Sequence, residues 1–325
     1  MTSSFRQLMV TGASGFLGSQ IVDLAREAGW HVRAFDRSPR IPAEGAEMFL
    51  GNIGDIGMLR IACEGVSAIV HAAGLAHVFG PGAKDAALFN AVNEAGTGNV
   101  VDAALDAGVS NIVLVSSVSV YGSYAGANCD ESQPCRPQGP YATSKWRGEL
   151  KAIERMEKAR GSLTILRFAT IYGEGDRGNV AKLIGALDRR RFIWPGSGQN
   201  QKSLIYKEDA VRACLCALER PVSGIEVFNV SARPATMREV VSAICQALGR
   251  PIPRLQIPSA FLRAACAMSR SMGDPGQLGQ RLEKFIHDDV YDGSRFESTF
   301  DFRPAISLSE GIRREVEFLQ AQKRR

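Results

Sequence analysis

The stretch "TGASGFLG", residues 11–18, constrains this chain more than any other feature of its sequence. It follows the apolar run "QLMV" and leads into "GSQIVDLAREAG", a run with helical spacing. Gly12, Gly15 and Gly18 therefore fall at the turn between a strand and a helix. Glycines at such a turn allow a tight bend, close approach of the backbone to a pyrophosphate, and close packing of the helix on the sheet. The stretch predicts a βα unit that can bind a phosphate-bearing ligand.

The rest of the first half of the chain repeats this alternation. Apolar runs typical of buried strands are "HVRAFD", "SAIVHAA", "NIVLVSS" and "LTILRF". Helical patterns separate them, and Gly29 and Gly108 fall where two of the helices should end. This rhythm predicts an α/β fold with a Rossmann-type doubly wound parallel sheet.

Asp36 ends the second predicted strand, 24 residues beyond Gly12. A carboxylate at this distance from the glycine loop can accept hydrogen bonds from the hydroxyls of an adenosine ribose. It disfavours a ribose 2′-phosphate, which would add a second negative charge, so the sequence favours NAD over NADP as cofactor. Arg37 and Arg40 follow closely, and because guanidiniums bind phosphate well, NADP stays open as the alternative.

After Tyr172 the alternation breaks into loop-like and helical stretches, although "SLIY" and "VFNV" resemble two further strands. We therefore predict a dinucleotide-binding domain formed by residues 1–175 and 203–230. Residues 176–202 and 231–325 would form a smaller, interleaved C-terminal lobe that binds the substrate.

Composition limits the partners of this chain. The 39 basic and 34 acidic residues leave a net charge of +5, too mild a balance to indicate nucleic acid. The seven cysteines show no metal-ligand spacing, so we expect no metal, and their use is typical of the reducing cytoplasm. Neither a signal peptide nor a membrane-spanning stretch stands out, so we expect a cytoplasmic protein with no membrane partner.

The segment "GPYATSKWRGE", residues 139–149, places Tyr141 and Lys145 four residues apart behind a Gly-Pro pair. About one helical turn separates them, so their side chains share a face. Such a pair occurs on many helices by chance. Its position after a glycine loop, a ribose-binding acid and a strand that ends in serines favours a proton-transfer device.

Five motifs resemble, in their order along the chain, those of the extended short-chain dehydrogenases. They are "TGASGFLG", "HAAG" at 71–74, "VSSVSVYG" at 115–122, "YATSK" at 141–145 and "RFATIYG" at 167–173. More narrowly, the chain is similar to the nucleotide-sugar epimerase/dehydratase family of the UDP-glucose 4-epimerase type. The resemblance covers nearly the whole chain and is most specific up to about residue 173.

The resemblance implies which residues hold the dinucleotide. Asn52 stands where the family often has an aspartate near the adenine, and Asn93 matches an asparagine that supports the active-site helix. The cofactor-binding residues so implied are Gly12, Gly15, Phe16, Leu17, Gly18, Asp36, Arg37, Asn52, Ile53, Ala72, Ala73, Gly74, Asn93, Tyr141 and Lys145.

Ser117, Tyr141 and Lys145 match the catalytic serine, tyrosine and lysine of the family. A free phenol has a pKa near 10, and a neighbouring ammonium together with a cationic nicotinamide would lower it. Tyr141 would then take a proton while hydride passes from the carbinol carbon to the nicotinamide, and in the reverse direction it would protonate a ketone. Ser117 would hold the substrate oxygen.

The resemblance also bears on the reaction. Dehydratases of the family carry an acidic pair after the catalytic serine or threonine, whereas this chain has Val118 and Ser119, which disfavours dehydration. It favours an NAD(P)-dependent oxidoreductase of a nucleotide sugar, first a C4 epimerase of a UDP-sugar working through a 4-keto intermediate. Thr170 stands where C4 epimerases often carry asparagine, so a 4-ketoreductase of a nucleotide 4-keto-sugar is the alternative. A reductase of a steroid-like or flavonoid-like alcohol and a non-catalytic dinucleotide sensor also stay open.

Residues 175–210 resemble the part of the family that holds the nucleoside diphosphate. Asn179 and Val180 would approach the diphosphate, and Lys202 stands where the family often has a phosphate-binding arginine. The substrate-binding residues so implied are Ser117, Ser119, Tyr141, Thr170, Asn179, Val180, Lys202 and Arg281. A homodimer formed through helices at about 95–107 and 141–158 is implied as well.

Overall fold

The structure is a computed structural model that describes residues 6–39, 45–76, 83–122, 128–258, 261 and 287–324. Its strands are β1 (Gln7–Thr11), β2 (His31–Asp36), β3 (Glu47–Leu50), β4 (Ala68–His71), β5 (Asn111–Ser117), β6 (Ser162–Phe168), β7 (Thr170–Tyr172), β8 (Trp194–Pro195), β9 (Gln201–Lys202), β10 (Leu204–Tyr206), β11 (Ile225–Val230), β12 (Ala235–Thr236) and β13 (Gln256–Ile257). Its α-helices are α1 (Gly18–Glu27), α2 (Ile56–Cys63), α3 (Ala83–Phe89), α4 (Thr97–Asp106), α5 (Gly139–Ala159), α6 (Asn179–Asp188), α7 (Lys207–Glu219), α8 (Met237–Leu248), α9 (Ser294–Phe300) and α10 (Leu308–Arg324). A π-helical segment, Asn90–Gly96, joins α3 to α4, and a 3₁₀ turn, Val118–Tyr121, follows β5.

Seven strands form one sheet in the order β11-β6-β5-β4-β1-β2-β3, and every pairing in it is parallel. The doubly wound parallel sheet predicted from the sequence is confirmed. From β1 the chain first builds outward to β2 and β3, and then returns to place β4 on the other side of β1. The glycine loop therefore leaves β1 at the point where the strand order reverses, which is where sheets of this kind bind ligands.

Side chains alternate between the two faces of this sheet, and each face carries its own apolar cluster. Leu8 and Val10 of β1 pack in one cluster, which includes Ile21 of α1. Met9, between them, packs in the other cluster, which includes Leu59 of α2. All five side chains are fully buried. Because burial of a large apolar side chain contributes about 1.5–3 kcal/mol, covering both faces is what holds a parallel sheet together.

Helix α5 carries the Tyr141–Lys145 pair and begins as the Gly-Pro pair predicts. Proline is tolerated in a first helical turn because its missing N–H has no partner there. The buried stripe of the helix includes Lys145, Gly148 and Glu149. A Cβ on Gly148 would lie 2.2 Å from the Asn93 carbonyl oxygen, so glycine lets α5 pack directly on the π-helical segment. Two charged residues on a buried stripe indicate a polar site inside the fold.

A third apolar cluster lies among the later elements. It joins α6, α8 and α10 through side chains such as Ile184, Val241 and Ile312, all at least 98% buried. Strand β10 contributes Leu204 and Tyr206 to it. The boundaries of the smaller lobe stay a prediction.

Several elements differ from what the sequence suggested. Strand β3 and helix α2 are additional to the elements read from its apolar runs. The helix expected around residues 93–108 begins earlier and contains the π-helical segment. "SLIY" and "VFNV" are both strands, but β10 pairs with β7 in a small separate sheet, whereas β11 pairs with β6 at the edge of the main one.

Glu315 of α10 is a buried carboxyl in this region. It is 0% exposed, and neither of its oxygens makes a hydrogen bond of normal geometry within the described residues. Burial, with Asp176 and Glu174 nearby, raises the pKa of Glu315 to about 8, and the backbone of Gly173 offsets part of the rise. The folded chain therefore holds a proton here that the unfolded chain loses near pH 4.5.

We expect Glu315→Gln to remove a pH dependence of stability. Because the folded-state pKa is raised, the stability from this group is fully present below about pH 4.5 and is lost as the pH rises through about 8. As the pH rises between these limits, the parent should lose stability that the variant keeps. The free energy of unfolding of the variant should therefore rise relative to that of the parent, by up to about 1.4 kcal/mol per pH unit. Urea unfolding at pH 5 and pH 8 measures it. Glu317→Gln, on the exposed side of the same helix, is the control, and a difference that does not grow with pH for Glu315→Gln contradicts the expectation.

Candidate active site

The glycine loop shows why glycine stands at its three positions. Gly12 has a φ of +71°, and a Cβ there would lie 2.7 Å from Ala73 Cα at the end of β4. A Cβ on Gly18 would lie 2.0 Å from the Gly12 carbonyl oxygen, and one on Gly15 would lie 2.9 Å from the same atom. The loop is thus folded tightly between β1, β4 and the start of α1. The amides of its outer turn remain next to the cleft, as binding of a pyrophosphate requires.

Asp36 lies at the carboxyl end of β2, beside this loop. Its Oδ2 accepts a hydrogen bond from the Ser14 amide at 3.0 Å, and its Oδ1 accepts one from the Ser38 amide at 2.9 Å. Two backbone amides therefore fix the carboxylate while lone pairs stay available for the hydroxyls of a ribose. Arg37 lines the same part of the cleft, and Arg40 lies outside the described residues.

A single cleft of about 600 Å³ runs from Asp36 past the glycine loop to Ser117 and Tyr141. Its size is that of a small-molecule or cofactor site. The residues predicted from the sequence that line it are Gly12, Gly15, Phe16, Leu17, Gly18, Asp36, Arg37, Asn52, Ile53, Ala72, Ala73, Gly74, Ser117, Tyr141, Lys145, Thr170 and Asn179. Lining residues that sequence reasoning missed include Ser14, Ser38, Leu75, Val92, Val115 and Asp176. Four of these, Ser14, Ser38, Leu75 and Asp176, lie two to four residues beyond a strand end, which is the signal that could have found them. Val115 lies inside β5, and Val92 lies in the π-helical segment.

Ser117, Tyr141 and Lys145 come together at the far end of this cleft. Ser117 is the last residue of β5, while Tyr141 and Lys145 lie on the first two turns of α5. The Ser117 hydroxyl is close enough to the Tyr141 phenol to lower its pKa. The Lys145 Nζ donates to the Val115 carbonyl at 2.6 Å. A hydroxyl, a phenol and an ammonium thus share one end of the cleft.

The pKa values at this end are set mainly by burial. Burial raises the pKa of the Tyr141 phenol, and the Ser117 hydroxyl offsets part of the rise. Burial lowers the pKa of Lys145 to about 8, against which the Glu149 carboxylate acts. We expected the lysine to lower the pKa of the tyrosine. In the structure the ammonium is instead directed at the backbone of β5, and the net shift of the phenol is upward.

Behind the site, Glu149 and Arg167 form a buried ion pair. The Arg167 Nη2 donates to Glu149 Oε2 at 2.7 Å, and Nε reaches both carboxylate oxygens at 3.2 Å. Their side chains are 0% and 5% exposed. Ser116, the neighbour of Ser117, donates a further hydrogen bond to Glu149. Because an unpaired buried charge is costly, each partner fixes the position of the other.

The network continues from Arg167 into β11. Its Nη1 donates to the Tyr121 hydroxyl at 2.9 Å, which donates to Asn229 Oδ1 at 2.8 Å. Asn229 Nδ2 in turn donates to the Cys129 carbonyl at 3.1 Å. The guanidinium also lies 4.9 Å from the centre of the Tyr121 ring and 5.5 Å from that of the Trp146 ring. One charged network therefore ties α5, β6, β11 and the 3₁₀ turn together beside the cleft.

Asn93 does not line the cleft but holds a residue that does. Its Oδ1 accepts from the Leu75 amide at 2.8 Å, while Nδ2 donates to the Leu75 carbonyl and to Ser144 Oγ, both at 3.0 Å. The wider turn of the π-helical segment directs this amide between the end of β4 and α5. Asn93 is 1% exposed, so all its hydrogen-bonding capacity serves this junction.

A chain of hydrogen bonds also crosses the base of the cleft. Thr11 Oγ1 lies 2.6 Å from His71 Nδ1, and His71 Nε2 lies 3.0 Å from Thr97 Oγ1. Burial, followed by the charge of Lys145, lowers the pKa of His71 to about 3. The imidazole is therefore neutral and serves as a relay of hydrogen bonds rather than as a charge.

The other predicted substrate residues lie in different surroundings. Ser119 is in the 3₁₀ turn, where its buried Oγ has no hydrogen-bond partner within the described residues. Val180 is buried in α6, and Lys202 donates to the His287 carbonyl at 2.9 Å and pairs with Asp289. None of the three lines the cleft, and Arg281 lies outside the described residues. Within the part of the chain that the structure describes, no group of His, Cys, Asp and Glu could hold a metal ion.

The chain is similar to known proteins over nearly its whole length. The sequence model of the NAD dependent epimerase/dehydratase family matches residues 8–231. An N-acetyl-alpha-D-glucosaminyl-diphospho-ditrans,octacis-undecaprenol 4-epimerase of Escherichia coli O157:H7 is 31% identical, over 97% of this chain and 96% of the relative. The 3beta-hydroxysteroid-dehydrogenase/decarboxylase isoform 1 of Arabidopsis thaliana is 27% identical, over 98% of this chain and 80% of the relative. The solved structure of MoeE5 in complex with UDP-glucose and NAD is 27% identical, with a TM-score of 0.77 over 98% of this chain and 99% of that one.

We expect Glu149→Gln to destabilise the chain by about 3–5 kcal/mol, because it leaves the Arg167 guanidinium buried without its counter-charge. Urea unfolding monitored by circular dichroism gives the free energy of unfolding. The matched control is Glu154→Gln on the same helix, whose exposed pair with Lys158 should be dispensable. A Glu149→Gln variant as stable as this control would show that the buried pair does not hold the site together.

Proposed function

The chain belongs to the NAD dependent epimerase/dehydratase family, and from this premise we propose that it is an NAD-using C4 epimerase. Its substrate would be a sugar linked through a diphosphate to a carrier group. The favoured substrate is a UDP-sugar, converted through a 4-keto intermediate. One observation carries this proposal: a hydroxyl, a phenol and an ammonium stand together at the end of a dinucleotide-sized cleft.

The residues at the other end of the cleft fit NAD. The glycines at 12, 15 and 18 keep side chains away from a pyrophosphate, and Asp36 is fixed where it can accept ribose hydroxyls. Its negative charge disfavours a 2′-phosphate, while the adjacent Arg37 keeps NADP as the alternative. Bound there, NAD supplies a hydride acceptor that can return the hydride.

The roles of the three catalytic candidates follow from their contacts. Tyr141, in its phenolate form, would take the proton of the sugar hydroxyl and later return it. Because burial raises the pKa of the phenol, the positive charge of oxidised NAD bound in the cleft would have to favour the phenolate. Ser117 holds the sugar oxygen during the transfer. Lys145, anchored on the Val115 carbonyl, keeps two further N–H donors for a ribose hydroxyl.

The absence of an acid next to Ser117 supports epimerisation over dehydration. Elimination of water needs an additional acid and base, and Val118 and Ser119 supply neither. Asp176 is the carboxylate that lines the cleft at this end, and its Oδ1 already accepts from the Gly178 amide at 2.6 Å. Redox chemistry at a single carbinol carbon fits this set of residues best.

Thr170 favours a second candidate. It lines the cleft where C4 epimerases of the resembling type often carry an asparagine, so the usual substrate contact at this position is changed. A 4-ketoreductase that delivers hydride once is the resulting alternative. The similarity to a 3beta-hydroxysteroid-dehydrogenase/decarboxylase keeps a reductase of an apolar alcohol as a third candidate. A non-catalytic sensor is disfavoured because both Tyr141 and Lys145 are present.

The group that carries the sugar diphosphate is also part of the proposal. The E. coli relative is named for a sugar attached to diphospho-undecaprenol, and MoeE5 was solved with UDP-glucose. Either carrier presents a diphosphate, for which Asn179 at the start of α6 lies in the cleft. A homodimer through α4 and α5 stays a prediction from the resemblance, and the cytoplasmic location stays a prediction from the composition.

The purified chain should interconvert UDP-glucose with UDP-galactose, or their N-acetyl forms, without added cofactor. An epimerase regains its oxidised cofactor in each cycle, so the hydride stays within the protein. Chromatography of the nucleotide sugars after incubation measures the conversion. Turnover that strictly requires added NADH or NADPH would identify the ketoreductase instead.

Tyr141→Phe should lower turnover by about 10²–10⁴-fold while cofactor binding stays unchanged, because only the proton-transferring hydroxyl is lost. Turnover and the dissociation constant of NAD are the two measurements. Tyr206→Phe is the control, since its hydroxyl bonds Glu174 outside the cleft. If Tyr141→Phe and Tyr206→Phe turn over at the same rate, Tyr141 is not the proton carrier.

A further inference from the structure

An apolar surface lies at the end of the lobe formed by α6 and α8. Nine large hydrophobic side chains are strongly exposed among the described residues, and five of them belong to this surface. They are Ile193, Ile252, Leu255, Ile257 and Phe261, with exposures of 42%, 46%, 64%, 38% and 70%. Single exposed apolar residues are ordinary on a soluble protein, whereas a cluster of this kind indicates a binding surface. We refer to these five residues as the apolar surface.

The backbone holds the two halves of the apolar surface side by side. Strand β8, which follows Ile193, pairs in parallel with β13. The Trp194 amide donates to the Leu255 carbonyl at 2.9 Å, and the Gly196 amide donates to the Ile257 carbonyl at 3.0 Å. The indole Nε1 of Trp194 donates to the Pro253 carbonyl at 2.8 Å. The backbone therefore holds Ile193, Leu255 and Ile257 side by side, and Ile252 and Phe261 lie three and four residues from them along the chain.

Positive charge surrounds this patch. Arg189, Arg190, Arg191 and Arg254 are all exposed, and within the described residues none of them pairs with an acid. Residues 189–206 and 240–258 contain no aspartate or glutamate. The combination of leucine, isoleucine and phenylalanine with a rim of arginines matches the chemistry of an anionic lipid surface, which offers both an apolar interior and negative headgroups.

The position of the patch relates it to the cleft. Helix α6 starts at Asn179, which lines the cleft, and ends one residue before Arg189. Its 10 residues span about 15 Å, so the patch and the diphosphate end of the cleft lie at opposite ends of one short helix. A chain docked on a bilayer through this patch would hold its cleft close to the membrane surface.

We propose that the apolar surface and its arginines dock this chain reversibly on an anionic lipid bilayer. Within the described residues no helix is long and apolar enough to cross a membrane, and docking of this kind needs none. The expectation of no membrane partner was based on the signal peptides and spanning segments sought in the sequence, so it did not address docking on a membrane surface. The proposal goes beyond the proposed function and does not depend on it, although it suits a substrate whose diphosphate is anchored in lipid.

Sedimentation of the full chain with vesicles tests the proposal. The chain should bind vesicles of phosphatidylcholine mixed with phosphatidylglycerol, and should bind vesicles of phosphatidylcholine alone at least about tenfold more weakly. Binding should fall steeply at about 1 M salt, where the Debye length is only about 3 Å. Equal binding to both vesicles, or binding to neither, overturns the proposal.

Two variants locate the binding surface. Leu255→Asp places a negative charge in the centre of the patch and should weaken vesicle binding by at least about tenfold, because it removes an inserted leucine and repels the headgroups. Ile61→Asp, which alters an isoleucine on α2 that is 52% exposed, is the control and should bind as the parent does. Equal binding by the two variants overturns the assignment. So does a shift from dimer to monomer on Leu255→Asp with no effect on vesicles, since the surface would then join two copies of the chain.

Turnover of a soluble UDP-sugar separates this proposal from the proposed function. Leu255 lies outside the cleft, so Leu255→Asp should leave that turnover unchanged. A chain that docks on vesicles but converts no UDP-sugar would keep the docking proposal and refute the UDP-sugar epimerase. A chain that converts UDP-sugars but does not bind vesicles would support the UDP-sugar epimerase and refute the docking proposal.

Discussion

The ion pair between Glu149 and Arg167 is the interaction on which the arrangement of the site depends. It joins the helix that carries Tyr141 and Lys145 to a strand of the sheet, in a region that excludes water. A buried pair is weak support for overall stability, because the cost of removing two charges from water offsets their attraction. Its value lies in position: Arg167 meets the carboxylate through three hydrogen bonds, and Ser116 fixes the same carboxylate from the strand that ends in Ser117.

The glycine loop imposes the complementary constraint at the other end of the cleft. A Cβ at Gly18 would overlap the Gly12 carbonyl oxygen, so the loop closes on itself only without side chains. Because β1 lies inside the sheet, between β4 and β2, this close packing also sets where α1 begins and how near β4 comes to the loop. The cleft therefore lies against the glycine loop at one end, and the buried Glu149–Arg167 pair lies behind its other end. Between them lies a chain of neutral hydrogen bonds through His71.

Short sequence motifs predicted the glycine loop, the acidic residue beside it and the Tyr141–Lys145 pair, because each depends on residues at a recognisable spacing. The glycine spacing and the Tyr141–Lys145 interval act within a few residues, and Asp36 follows the glycine loop at a recognisable spacing. All of these residues line the cleft. The partners of Arg167 were not predicted, since Glu149 is 18 residues away and Tyr121 is 46 residues away. Lys202 shows the same limit, because its partner Asp289 lies 87 residues further on. Helical periodicity places Glu149 on the same face as Lys145, one turn further along. This spacing could have indicated that Glu149 is buried near the site.

The early position of Tyr141 on α5 has an electrostatic consequence. The first turn of an α-helix exposes amides that lack intrahelical partners, and these carry the positive end of the helix macrodipole. Side chains on a helix lean toward its N-terminus, so the phenol of Tyr141 leans toward that positive end. In the role proposed for Tyr141, this end of α5 would act against the rise that burial gives the pKa of the phenol, while the Lys145 ammonium donates to β5. The Gly-Pro pair that starts the helix thus sets where this positive end lies relative to Tyr141.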